Sequence, residues 1–125
     1  MKKLLLILLL GFGTITTLMA QPEEVKKMHE TAKSFMRTGD FDNAILVLIR
    51  ALEQDKNNLE MQKDLVMSYY LKRDYSKAVE GVKALTERND ADVVTFQIAG
   101  NVYKALEDPK ECEKIYKKGL KTFPK

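Results

Sequence analysis

Asp40, Asp74 and Asp108 stand 34 residues apart, and the chain around each of them repeats with that period. Four residues after each Asp comes a small residue: Ala44, Ala78, Cys112. Five before comes an aromatic (Phe35, Tyr69, Tyr103), and eight after comes Leu48, Val82 or Tyr116. Self-similarity at this period dictates a stack of like units, because no single unit can bury its own apolar face. Such a chain is held by neighbour-to-neighbour contacts rather than by one central core.

Each unit reads as two helices. Val25, Met28, Ala32 and Phe35 recur at helical spacing. Thr38-Gly39-Asp40 breaks that helix, since Gly39 suits a left-handed terminating residue and Asp40 can cap the next helix. Ala44, Ile45, Leu48, Ile49, Ala51 and Leu52 then form a broad apolar face. The second unit repeats the pattern with Leu65, Val66, Tyr69, Asp74, Ala78, Val79, Val82 and Leu85. Arg73 replaces Gly39 there, predicting a weaker helix end, and Gly81 should cost about 1 kcal/mol in mid-helix. In the third unit Asp108 caps, Pro109 takes the first helical position, and Glu111 is placed to complete a capping box. Gly100 matches Ala32 and Val66 as the residue that lets paired helices approach. Helices are predicted near 25–38, 41–54, 59–72, 75–88, 92–106 and 109–122.

On these residues the chain resembles the tetratricopeptide repeat (TPR) family over nearly everything after residue 24. The repeats would span 25–58, 59–92 and 93–125, with Pro124 where the family often places its closing proline. The resemblance implies an all-α, right-handed superhelical stack of three helix–turn–helix repeats. It also implies a non-enzymatic interaction module. In the family, the first helices of successive repeats line a concave groove that receives a protein or peptide. The groove positions would be His29, Lys33, Met36 and Arg37, then Lys63, Met67 and Tyr70, then Gln97, Asn101 and Lys104. That mixture suits a ligand with carboxylates and one or two apolar anchors, though Met36 and Met67 read equally well as packing residues. The family's carboxylate clamp is not matched, because Asp64, Val94 and Ile98 stand where it needs amide and basic side chains.

Residues 1–20 differ in kind. Met1-Lys2-Lys3 precedes the aliphatic run Leu4–Leu10, and Leu18-Met19-Ala20 leads into Gln21-Pro22. This is the layout of a secretory signal peptide cleaved after Ala20, leaving 21–125 as the repeat domain in the periplasm or outside the cell. The alternative is an N-terminal membrane anchor, although Leu4–Met19 is shorter than the ~20 residues a span requires.

The charge balance gives no nucleic-acid signature: without Lys2 and Lys3, 19 basic residues face 18 acidic ones. One His, one Cys and no Trp leave no nucleophile–base pair, metal-ligand spacing or phosphate loop to suggest an enzyme, a metal or a cofactor. Cys112 reads as a small packing residue.

The C-terminal segment carries a second candidate. Cys112, Ile115, Tyr116, Gly119, Leu120 and Phe123 wind into one arc, with Lys110, Lys114, Lys117, Lys118 and Lys121 opposite. The sequence ends at Lys125 without a further helix, so Ile115, Tyr116, Leu120 and Phe123 are expected as a docking end. Three uses stay open: a partner protein, a second copy forming a homodimer, or an accessory role in a cell-envelope complex. The Lys face is either a solvated exterior or a contact with an anionic membrane surface.

Overall fold

The computed structural model describes residues 22–124. The leader, the cleavage after Ala20 and Lys125 lie outside the described residues. Six helices follow one another: α1 (Pro22–Arg37), α2 (Phe41–Gln54), α3 (Leu59–Leu71), α4 (Tyr75–Thr86), α5 (Val93–Ala105) and α6 (Pro109–Thr122). Among the described residues there are no strands, and the fold is an all-α solenoid. α1 starts three residues earlier than its apolar periodicity suggests. Pro22 takes the first helical position, and Glu23 and Glu24 oppose the positive end of the helix dipole.

The three tight turns share one hydrogen-bond pattern. The amide of Asp40 donates to Phe35 O at 2.9 Å, Asp74 to Tyr69 O at 2.9 Å, and Asp108 to Tyr103 O at 3.0 Å. One residue earlier, Gly39, Arg73 and Glu107 donate to Met36 O, Tyr70 O and Lys104 O at 3.0–3.1 Å. These paired bonds make a Schellman ending, with the middle residue left-handed. All three middle residues are left-handed: φ is 78° at Gly39, 69° at Arg73 and 54° at Glu107. The expected weaker ending at Arg73 is therefore a geometric copy of the glycine turn, held at a steric cost on the order of 1 kcal/mol.

Each Asp of the repeat has two roles. Its amide closes the preceding helix while its carboxylate caps the next, accepting from Asn43, Lys77 or Glu111 amides at 3.2, 3.3 and 3.1 Å. That double use overturns the capping box expected at Asp108. The Asp108 amide is already spent on Tyr103 O, and Glu111 turns to Lys114 instead. The box forms at Asp92, where the Thr95 amide donates to the Asp92 carboxylate at 2.8 Å and the Asp92 amide reaches the Thr95 hydroxyl at 3.3 Å.

Small residues set the helix spacing. Ala32, Ala44 and Ala78 are fully buried between paired helices. Val66 is larger than its counterparts Ala32 and Gly100, and Gly81 gives way to it: a Cβ there would lie 2.3 Å from a Val66 methyl. Gly81 thus has a packing reason that offsets its low helix propensity. At Gly100 a Cβ would come within 2.9 Å of the Tyr116 hydroxyl.

Every helix packs on its chain neighbours. Beyond that, only odd-numbered helices meet across repeats, α1 with α3 and α3 with α5. The odd helices therefore crowd the inner side of the stack while the even ones splay outside. The core falls into two clusters, one centred on Leu48, Ala51 and Met61, the other on Val82, Leu85, Ala99 and Val102.

Candidate partner-binding surfaces

The inner side gathers the expected groove residues, and ion pairs within the chain occupy much of it. His29 on α1 lies 2.6 Å from Asp64 on α3. Lys63 is 5% exposed and donates to Asp92 at the start of α5 and to Glu60, both at 2.7 Å. Burial pulls the Lys63 ammonium down, but the hydrogen bonds to Asp92 and Glu60 outweigh it and leave its pKa raised. Burial likewise pushes Asp92 up, and the bonds from Lys63 and Thr95 overcome that and hold it below the ordinary Asp value. Lys63 is thus not the free groove cation expected of it; it locks the second helix pair to the third. Lys33 is half-buried and pairs with Glu30 at 3.3 Å.

Met36, Met67 and Tyr70 are half-buried and pack against the two core clusters. Tyr70 also sits 6.1 Å from the Tyr75 ring. Arg37, Gln97, Asn101 and Lys104 are exposed. The inner side therefore presents its open polar residues mainly at the far end, on α5. Spacing held a trace of the two bridges: Asp64 and Asp92 follow His29 and Lys63 by about one repeat. Read only as a mismatch to the family's clamp, Asp64 hid its role as a partner of His29.

The end formed by α5 and α6 is different. Tyr116 is 50% exposed and Leu120 57%, with Val93 and Phe123 also open. They border a cavity of about 290 Å³ floored by Phe96 and Gly119. Phe96 is buried and meets Phe123 edge-on at 6.1 Å between ring centres. Gly119 is what lets Phe96 close in, since a Cβ there would stand 3.3 Å from it. Tyr116 continues the surface toward Lys104, Pro109 and half-buried Cys112. Cys112 is less enclosed than its counterparts Ala44 and Ala78.

Ile115 does not belong to this end. It is 6% exposed and lies in the core with Val82 and Tyr103, because its position on α6 faces back into the stack. Val93 and Phe96 on α5 were missed as members of the end face, whereas Gly119 lay in the arc that the sequence already marked on α6. On the outer side, Lys118 pairs with Glu87 at 2.9 Å and Lys117 with Glu113 at 2.7 Å, so the Lys face is partly neutralised.

The tetratricopeptide repeat family profile matches residues 95–125. Over that stretch the chain is similar to the tetratricopeptide-repeat family. The match covers most of α5 and all of α6, and the two preceding helix pairs share the turn and cap of this pair at the same 34-residue spacing. No curated protein matches the chain. Tetratricopeptide repeats are protein-interaction modules, typically without catalytic activity, and the described residues hold no group of three or more His, Cys, Asp or Glu arranged for a metal ion.

Proposed function

We propose that this tetratricopeptide-repeat chain is an exported, non-enzymatic docking protein that holds a protein partner on the α5–α6 end rather than in the first half of its groove. The observation that carries the reading is the open apolar patch of Val93, Tyr116, Leu120 and Phe123 around a 290 Å³ cavity. On the inner side His29, Lys33 and Lys63, by contrast, already face carboxylates within the chain. Export rests on the charged start, aliphatic run and small residue at Ala20.

The test is site-specific photocrosslinking in the cells that make the protein. The full chain is made with a photoreactive side chain at position 120, or at 67 or 101 on the inner side. Partner adducts from 120 and not from 67 or 101 support the reading, whereas adducts only from the inner side refute it. Mass spectrometry of the envelope-associated protein tests export. A new terminus at Gln21 is expected, and a retained leader would make the protein an anchored one instead.

A further inference from the structure

We propose that the occupant of the α5–α6 end is an amphipathic helix of another protein, with one apolar stripe and acidic residues beside it. This rests on the end-face reading above and supplies its partner chemistry. The helix would lie as α3 lies on α1–α2 and as α5 lies on α3–α4.

The internal repeat defines the seat. Tyr116, Gly119 and Leu120 stand at the places of Leu48, Ala51 and Leu52 on α2, and of Val82, Leu85 and Thr86 on α4. In the two earlier repeats that surface is covered by the following odd-numbered helix. The surface on α6 has the same apolar character and, among the described residues, no helix over it.

A second copy stacked head to tail does not fit. Its α1 would have to play the part of α3 or α5, whose seated positions include Met61 and Leu65, or Thr95 and Ala99. On α1 those positions are Lys27 and Thr31, both exposed. Burying Lys27 against Leu120 without a carboxylate is strongly unfavourable. Two α6 helices packed face to face fare no better, because residues 110–125 hold six Lys against two Glu.

The same excess selects an acidic partner. Lys104 stands on the α5 side of the patch, and Lys110 and Lys121 follow Leu120 around α6, whereas Lys117 between them is already paired with Glu113. The chain's own junctions use this chemistry: His29 and Lys63 each grip a carboxylate of the next odd helix. Gln97 occupies their place in the last repeat, with an amide able to donate to such a carboxylate.

Isotope-labelled full-length protein can be titrated with helical peptides of about four turns carrying the same leucine stripe. One peptide has Glu at the flanking positions, one has Lys, and a third scrambles the Glu sequence to destroy the stripe. The Glu peptide should bind at least about tenfold more tightly than either control and weaken as salt is added. Its shifts should centre on Gly119, Leu120 and Val93, and Leu120→Asp should abolish them without loss of helicity. Equal binding of the Glu and Lys peptides, or shifts centred on Met67 and Asn101, would overturn the proposal. So would a dimer in light scattering that Leu120→Asp dissociates, because the occupant would then be a second copy. If crosslinks from position 120 capture a protein while the Glu peptide fails to bind, the helix is the wrong occupant and the end-face reading survives. If both fail, both fall.

Discussion

Leu48 on α2 and Tyr116 on α6 hold the same place in their repeats, yet one is fully buried and the other half exposed. Ala51 and Leu52 lie under α3, while their counterparts Gly119 and Leu120 floor and border an open cavity. The local sequence makes the same helix with the same arc in both cases; what differs is whether, among the described residues, another helix lies over it. A TPR surface is thus read as core or as docking face only by its neighbour.

Deleting side chains at matched positions gives the sharpest contrast. Leu48→Ala should cost about 3 kcal/mol in chemical denaturation, from lost burial plus the cavity left behind. Tyr116→Ala should cost less than about 1 kcal/mol, since its ring already meets water. Equal losses would mean that the two surfaces are covered alike in solution.

A second contrast lies within the covered region. Gly81→Ala drives a methyl into Val66, and a β-branched side chain cannot easily step aside, so a loss of about 2 kcal/mol is expected. Adding Val66→Ala should recover much of it, and a double-mutant cycle measures the coupling. Additive losses would show that the two residues do not share that space.

Lys63→Met asks how much the covered junction owes to charge. Removing one member of the lock leaves Asp92 partly exposed and still bonded to Thr95, so the cost should stay near 1 kcal/mol. Its pH dependence is more telling. Asp92 is held below its ordinary value, and an Asp so depressed stabilises the fold above the unfolded pKa of about 3.9. That contribution is lost as pH falls through the lower folded value. Glu87 and Asp90 are also depressed, by Lys118 and Arg88, but both are exposed and screened by solvent, so the loss of stability below about pH 4 should follow Asp92 more than either of them. Lys63→Met should flatten that fall in an acid titration followed by circular dichroism. An unchanged acid profile would remove Lys63–Asp92 from the account.

The smallest effects return to turns and the open end. Arg73→Gly and Glu107→Gly should each stabilise by about 1 kcal/mol or less, because both residues are left-handed where glycine is unstrained. Leu120→Asp should change stability by no more than about 0.5 kcal/mol, while removing any partner contact. A large loss at Leu120 would mean that the end is packed rather than open.

Much of the fold was legible because caps, turns and small residues act over a few residues. Asp40, Asp74 and Asp108 locate three helix starts, and the aromatic five residues before each marks the carbonyl that closes the preceding helix. The capping box was misplaced because the Asp108 amide had already been claimed by Tyr103, a bond that spacing alone does not rank. The candidate site was less legible. Lys63 sits at a groove position by register, and only the approach of Asp92 from the next repeat turns it inward. Ile115 and Tyr116 are consecutive apolar residues, but one winds into the stack and the other away from it.

The sequence by itself determined the repeat, its turns and the polar character of α1 where a preceding unit would stack. Those depend on local hydrogen bonds and on residue type. Tertiary structure decided which charges were neutralised across repeats and which apolar arc stayed open, because both depend on whether a neighbouring helix covers the residue.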